Sequence, residues 1–93
     1  MSEERTLEKQ LAEYCQKNRI LFLKVKLEVG RGFPDRIVIT PSGNVLFLEL
    51  KSKKRGVVSP HQDMWVRTLR NYNQFVCVVD DLQDAKEIIE DIL

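Results

Sequence analysis

The chain has 93 residues, of which 43% are hydrophobic and 31% charged, a composition that indicates one compact folded domain. A chain this short buries only about 60–65% of its unfolded surface, so we expect a partner subunit. No segment approaches the roughly 20 apolar residues of a membrane span, and the polar N-terminus argues against a secretory signal peptide. Cys15 and Cys77 lack metal-ligand spacing and lie in apolar patterns, which predicts reduced core thiols in a cytoplasmic protein.

The net charge of +1 conceals a segregation of charge along the chain. Residues 19–74 contain eleven basic and four acidic side chains, whereas residues 75–93 contain one basic and six acidic side chains. Phosphate binding responds to the local field, so the nearly neutral total does not exclude a polyanionic partner. Alternating solvated faces of opposite sign explain the same pattern, and charge alone does not choose between the two interpretations.

The first half of the chain predicts one helix and three strands. Apolar residues at spacings of three and four predict an amphipathic helix over roughly residues 3–18. The β-rich residues 20–27 predict a strand, and the glycine-containing segment 28–34 predicts a loop. Two further strands are predicted at residues 35–40 and 45–51.

The second half begins with a basic loop at residues 53–58 and continues with the best-marked helix. Ser59-Pro60-His61-Gln62 places Ser at the N-cap, Pro at the first helical position and Gln three residues after the cap. Residues 74–79 predict a fourth strand, and Asp81 can cap a final helix. The element order αβββαβα predicts a mixed α/β domain.

The segment Thr40-Pro41-Ser42-Gly43 predicts a tight hairpin between the second and third strands. Pro at the second position and Gly at the fourth suit a type I turn followed by a left-handed residue. This turn places Thr40 opposite Asn44, and the same register places Asp35 opposite Glu49. Facing carboxylates have Cβ atoms about 4.5–5.5 Å apart and repel each other. A shared divalent cation such as Mg²⁺ reverses the sign of that interaction.

Lys51 follows Glu49 by two residues and therefore lies on the same face of its strand, whereas Leu48 and Leu50 point to the other face. We expect Asp35, Glu49 and Lys51 to converge. Two carboxylates, a metal and an ammonium group suit phosphodiester hydrolysis, because the metal lowers the pKa of a bound water and the lysine stabilises developing charge. An ordinary cross-strand ion pair would explain Glu49 and Lys51 by themselves. Asp35 is therefore the residue that distinguishes a hydrolytic site from an ordinary ion pair.

These residues resemble the PD-(D/E)XK nuclease superfamily, and in particular the short stand-alone form of its VRR-NUC branch from phages and bacteria. The matching segments cover nearly the whole chain and are Leu7-Glu8, Lys24, Gly32–Val38, Phe47–Lys51 and Val58–Gln62. Phe33 departs from the small aliphatic residue that is usual at its position. The resemblance implies a single nuclease domain over residues 1–93. Its expected architecture is a restriction-endonuclease-like αβββαβ core with a C-terminal helix and a mixed four-stranded sheet.

The resemblance also implies roles for site residues. It implies Mg²⁺ or Mn²⁺ as cofactor and no organic cofactor. The implied metal ligands are Glu8, Asp35, Glu49 and the backbone carbonyl of Leu50. The implied catalytic residues are Asp35, Glu49, Lys51 and Gln62. Gln62 would touch the metal water or a DNA phosphate, although capping of Ser59 competes for the same side chain.

Basic and polar residues around the hairpin are candidates for contacts with DNA phosphates, which position DNA without reading its sequence. They are Lys24, Lys26, Arg31, Lys53, Lys54, Arg55 and Ser59. A solvated basic loop is the alternative interpretation of residues 53–55. We interpret Arg31, with Gly30 and Gly32, as part of a mobile lip over the substrate.

Three other residues have structural interpretations. Arg36 should alternate to the face opposite Asp35, where we expect a structural or interface ion pair. Trp65 is expected in the core or in a dimer interface. For His61 we expect no chemical role.

The hypothesis from these observations is a Mg²⁺- or Mn²⁺-dependent, structure-selective DNA endonuclease that is similar to Holliday-junction resolvases. We expect a homodimer on branched DNA, since two-fold symmetry supplies two sites for the two strands. We place it in the cytoplasm of a bacterial cell or a phage-infected host, without membrane association. One alternative is a non-catalytic DNA-binding accessory module with the nuclease fold, and another is a purely structural subunit.

Overall fold

The computed structural model describes residues 3–52 and 57–93. Its elements are α1 (Glu3–Lys17), β1 (Leu21–Lys24), β2 (Arg36–Ile39), β3 (Val45–Leu50), α2 (Pro60–Asn71), β4 (Phe75–Val79) and α3 (Leu82–Ile92). The described strands form a sheet of order β1-β2-β3-β4, antiparallel among the first three and parallel between β3 and β4. The predicted element order and the mixed four-stranded sheet are confirmed.

The main core lies between one face of the sheet and the helices α1 and α3. Leu48 and Leu50 point into it, with exposed fractions of 0% and 1%, as the period of two along β3 predicts. Leu7 and Leu11 of α1 meet them there, spaced by one helical turn. Glu49, which lies between the two leucines, therefore points to the opposite face of the sheet. That face carries α2.

The first helix ends in a left-handed closure. Arg19 has a φ of 57°, and the Ile20 amide donates to the Cys15 carbonyl at 2.8 Å. This bond satisfies one of the carbonyls that a helix C-terminus leaves without a partner. The reversal directs the chain from α1 straight into β1.

The first strand is shorter than predicted, since β1 ends at Lys24 rather than continuing to residue 27. The Val25 amide still donates to the Asp35 carbonyl at 2.9 Å. In this register the following position faces Pro34, whose nitrogen carries no hydrogen and cannot extend the ladder. The chain therefore leaves the sheet there and enters the loop before β2. The other predicted bounds agree to within one residue.

The hairpin between β2 and β3 has the predicted register. The Thr40 amide donates to the Asn44 carbonyl at 2.9 Å, and the Gly43 amide donates to the Thr40 carbonyl at 2.9 Å. Gly43 has a φ of 93°, the left-handed conformation that this turn requires. Along the strands Ile37 lies opposite Phe47. The turn residues therefore determine which side chains of β2 and β3 meet.

Both cysteines are free thiols, as predicted. Cys15 is buried, and this burial raises its pKa to about 11. The helices within residues 3–52 and 57–93 are not long and apolar enough to cross a membrane.

Candidate nuclease site

Asp35 and Glu49 meet at one end of the β2–β3 hairpin. Asp35 directly precedes β2, and Glu49 is the fifth residue of β3. Arg36 lies opposite Leu48 in the last pair of the ladder, so the same register places the two acids next to each other one step further on. Glu49 alternates away from the leucine-lined core and faces α2.

The two acids leave one buried oxygen each without a donor. Glu49 is only 6% exposed. Asp35 Oδ1 and Glu49 Oε2 are buried, and neither meets an N–H or hydroxyl donor among the described residues. Burial raises the pKa of Glu49 to about 7, the nearby charge of Asp35 contributes in the same direction, and the positive charge of Lys51 lowers it. The space between the acids therefore favours a proton or a cation.

Gln62 holds the other oxygen of Glu49. Its Nε2 donates to Glu49 Oε1 at 2.6 Å, while its Oε1 accepts from the Ser59 amide at 2.9 Å. The Ser59 hydroxyl in turn accepts from the Gln62 amide at 3.2 Å, which completes the predicted capping box. The cap uses the oxygen of the side-chain amide and the contact with Glu49 uses its nitrogen, so these two contacts coexist. The contact of Gln62 with a metal water or a DNA phosphate stays a prediction.

Arg36 connects α1 to the Asp35 end of β2. Its side chain is 4% exposed, with one Nη 2.6 Å from Glu8 Oε2 and the other 3.1 Å from Asp35 Oδ2. The second Nη also donates to the Asp35 carbonyl at 3.0 Å. The predicted structural ion pair is present, but the reach to Asp35 was not anticipated. Strand alternation determines the direction of the Cβ and not the position of a long side chain's end.

The donor set fits a hydrated divalent ion. No group of three or more Asp, Glu, His or Cys side chains within residues 3–52 and 57–93 has the arrangement to hold a metal. The Glu8 carboxylate, the third acid that the resemblance implies, lies against Arg36. Two carboxylates with donor-free buried oxygens are nevertheless sufficient for Mg²⁺, which keeps several waters and is commonly held by one or two carboxylates.

The predicted DNA-binding residues are only partly close to the acids. Lys24 and Lys26 are exposed at the end of β1, where Lys24 lies opposite Arg36. Ser59 is half-buried and caps α2. Lys53, Lys54 and Arg55 lie outside the described residues.

The segment predicted as a lip contacts α2. The Arg31 carbonyl accepts a hydrogen bond from Trp65 Nε1 at 3.1 Å, and Arg31 Nε donates to His61 Nε2 at 3.4 Å. The Phe33 ring packs edge-on against Trp65, with centroids 5.1 Å apart, and against Phe47, at 5.7 Å. Trp65 is therefore half-buried beside the site rather than in the main core. These contacts were not predictable from the sequence, since no local pattern indicates a hydrogen bond between a loop carbonyl and an indole.

The element order and the mixed four-stranded sheet are those of a nuclease-fold domain. The chain matches a solved structure described as a VRR_NUC domain, with a TM-score of 0.85 and 27% sequence identity over 97% of both chains. Neither a family model nor a curated protein matches the sequence. The resemblance to the VRR-NUC branch that the sequence indicated is confirmed by this structural match.

Proposed function

We propose that this chain is a divalent-metal-dependent DNA endonuclease that works as one domain over residues 1–93. The observation that carries the proposal is the pair of buried, neighbouring oxygens, Asp35 Oδ1 and Glu49 Oε2, which lack donors among the described residues. Burying such oxygens side by side is unfavourable unless a proton or a cation lies between them. A shared Mg²⁺ or Mn²⁺ ion would satisfy both oxygens at the pH of a cell.

Each of the proposed ligands has a defined part in holding the ion. Asp35 and Glu49 would bind it with their carboxylates, Leu50 with its backbone carbonyl, and Glu8 through water, since its carboxylate is paired with Arg36. Gln62 occupies Oε1 of Glu49 and leaves Oε2 for the ion. A bound ion supplies a water of lowered pKa and neutralises charge on the phosphoryl oxygens.

Lys51 is the proposed catalytic lysine. It follows Glu49 by two residues, and its ammonium group is close enough to oppose the rise in the pKa of that carboxyl. A cation at this position stabilises the negative charge that develops on the non-bridging phosphate oxygens, and it can orient the attacking water by donating to it. Gln62 keeps its place through the helix cap and steadies the carboxylate beside Lys51.

The proposed substrate is DNA, with branched or junction DNA preferred over linear duplex. The exposed Lys24, Lys26 and Arg31 are the described cations proposed for phosphate contacts, together with Ser59. Lys53, Lys54 and Arg55 complete the proposed set and lie outside the described residues. These groups contact the backbone rather than base edges, so the shape of the DNA would determine specificity.

The homodimer proposal is supported by the open half of the sheet face that carries Glu49. Leu21 and Leu23 are 56% and 42% exposed, and they lie opposite Ile39 and Ile37 on this face. The helix on this face, α2, packs on β4, which is at the opposite edge of the sheet from β1. An uncharged apolar surface suits a second copy better than a phosphate backbone, and two-fold packing would supply one site for each strand of a junction.

We place the enzyme in the cytoplasm of a bacterial cell or a phage-infected host. The free thiols of Cys15 and Cys77 are consistent with a reducing compartment. The short stand-alone nucleases that the sequence resembles are of phage and bacterial type.

The experiment that tests the function is a cleavage panel with Mg²⁺ or Mn²⁺. It compares a four-way junction, a flap, a splayed arm, a duplex and a single strand. We expect the wild type to cut a branched substrate and Lys51→Ala to lose about 100-fold in rate or more. Lys86→Ala is the matched control, because Lys86 lies over the Tyr14 ring on the other side of the sheet and should keep full activity.

The accessory-module alternative predicts a different pair of results. It requires tight, salt-sensitive DNA binding without cleavage of any substrate in the panel, and no heat of Mn²⁺ binding in isothermal titration. Full activity in Lys51→Ala would contradict the assigned chemistry even if the wild type cuts DNA.

A further inference from the structure

The loop that ends in Asp35 is attached to the first two turns of α2. The Trp65 indole N–H donates to the Arg31 carbonyl at 3.1 Å, and the Trp65 ring meets the Phe33 edge with centroids 5.1 Å apart. Both contacts lie within four residues of Asp35 along the chain. The position of this segment is therefore coupled to the position of the helix.

Gly32 allows the loop to approach the helix backbone. A Cβ at this position would come within 2.6 Å of the His61 carbonyl carbon and within 2.8 Å of the Gln62 nitrogen. These are backbone atoms at the start of a capped helix, and they cannot move aside cheaply. Gly32 also has a φ of 83°, so a side chain there is disfavoured twice. The close approach requires glycine.

The same end of α2 holds the second acid. Gln62 donates to Glu49 at 2.6 Å and is fixed by the cap at Ser59. One helical turn of α2 thus contacts the Asp35 segment on one side and Glu49 on the other. We use the name α2 clamp for two sets of contacts between the loop and α2. They are the approach of Gly32 to the start of α2 and the contacts of Trp65 with Arg31 and Phe33.

We propose that Trp65 is a positioning residue for the metal site. Through the α2 clamp, Trp65 sets the distance between the carboxylates of Asp35 and Glu49. This inference rests on the proposed function. The two carboxylates repel each other when both are ionised and no ion is bound, so the scaffold has to supply the spacing at which an ion can enter. Trp65 supplies it by fixing the loop carbonyl and the Phe33 ring to the helix that also holds Gln62. Mutation of groups that hydrogen-bond a metal ligand typically costs 10- to 100-fold in metal affinity, and we expect the α2 clamp, which acts one contact further out, to lie at the lower end of that range.

The test compares two variants of the clamp with a matched control, using Mn²⁺ affinity measured by isothermal titration. Trp65→Phe keeps an aromatic ring against Phe33 but removes the indole N–H, and Gly32→Ala introduces the clash with α2. We expect each variant to weaken Mn²⁺ binding by about tenfold. Gly30→Ala is the control, since Gly30 also has a positive φ but only ordinary contacts, and we expect an affinity within about twofold of the wild type.

A second readout separates positioning from chemistry. At saturating Mn²⁺ we expect Trp65→Phe to recover the wild-type cleavage rate to within about threefold, because the ion itself restores the spacing of the acids. Lys51→Ala should not recover. If Gly32→Ala does not fold, Trp65→Phe decides the question alone.

Several results distinguish a failure of the positioning role from a failure of the proposed function. A folded Trp65→Phe variant with wild-type Mn²⁺ affinity overturns the positioning role and leaves the nuclease proposal intact. The same conclusion follows if Gly30→Ala weakens Mn²⁺ binding as much as Gly32→Ala. A wild type that binds no Mn²⁺ overturns the proposed function itself.

Discussion

Glu49 combines deep burial with a neighbouring acid, and both make its ionisation unfavourable. Its pKa rises from the ordinary value of 4.5 to about 7, first because of burial and then because of Asp35. Gln62 satisfies only one of its oxygens. In the metal-free protein this side chain therefore holds a proton at a pH at which it would be charged in the unfolded chain.

The raised pKa of Glu49 predicts a pH dependence of stability. The contribution of the protonated carboxyl is fully present below pH 4.5 and is lost as the pH rises to about 7, because the unfolded chain releases its proton first. Metal-free wild type should therefore be more stable at pH 5 than at pH 8. Glu49→Gln should remove this part of the slope, as measured by urea unfolding in EDTA between pH 5 and pH 8.

Glu13→Gln is the control for this measurement, since Glu13 is exposed on α1 and should leave the slope unchanged. Equal slopes in wild type and Glu49→Gln would contradict the assignment of the buried proton. At pH 8 we also expect Mn²⁺ to stabilise the wild type more than the Glu49→Gln variant.

The N-terminus of α2 combines two roles in one helical turn. Its capping box satisfies the first amides of the helix, and the same Gln62 side chain reaches across to β3. A helix whose start is held in this way presents its first turn at a defined position relative to the sheet. The cap is therefore part of the site's support and not only of the helix's stability.

The two roles can be separated at Ser59. Ser59→Ala removes the hydroxyl that accepts from the Gln62 amide, and we expect a loss of about 1 kcal/mol in the free energy of unfolding. The backbone amide at position 59 still donates to Gln62 Oε1, so Gln62 remains oriented toward Glu49. Urea unfolding should show the lower stability, whereas isothermal titration should show Mn²⁺ affinity close to that of the wild type.

Ser59→Thr is the matched control, because threonine retains the acceptor and should keep most of the stability. A loss of Mn²⁺ affinity in Ser59→Ala that is as large as the loss in Trp65→Phe would show that the cap, rather than the clamp, positions the acids.

The molecule has two chemically different sides. The acidic helix α3 packs with α1 on the core side of the sheet, whereas Glu49 and α2 lie on the other side. The acidic α3 therefore lies behind the sheet, on the same face as Arg36 and, by the strand register, Lys24 of the basic segment. The negative charge of α3 disfavours DNA over that helix, whereas Glu49 lies on the α2 side.

The proposed dimer face predicts an effect of charge at Leu23. Leu23→Glu places a carboxylate on the open apolar half of the sheet, so we expect sedimentation to show a monomer where the wild type shows a dimer at micromolar concentration. Because Leu23 is already 42% exposed in the single chain, the fold itself should tolerate the change. A monomeric wild type would overturn the dimer proposal.

Val29→Glu is the matched control for this substitution. Val29 is an exposed apolar residue, at 87%, but it lies in the loop before β2 and outside the sheet face. We expect this variant to sediment as a dimer. A loss of the dimer in both variants would mean that the contact surface extends beyond the sheet.

Several features of this protein were predictable because they depend on interactions between residues close together in the sequence. Turn residues and strand alternation determined the hairpin register, and hence that Asp35 and Glu49 would be neighbours while Leu48 would face the core. The capping box at Ser59 and Gln62 was predictable for the same reason, since its partners are three residues apart. Each of these features depends on backbone geometry over a few residues.

Only the tertiary structure decided what those elements contact. The reach of Arg36 to both Glu8 and Asp35, and the donation from Gln62 to Glu49, depend on how α1 and α2 lie on the sheet. The packing of Gly32 on the start of α2 depends on the same placement. Residues distant in the chain meet in all these contacts, and the packing of whole elements, which no short segment encodes, brings them together.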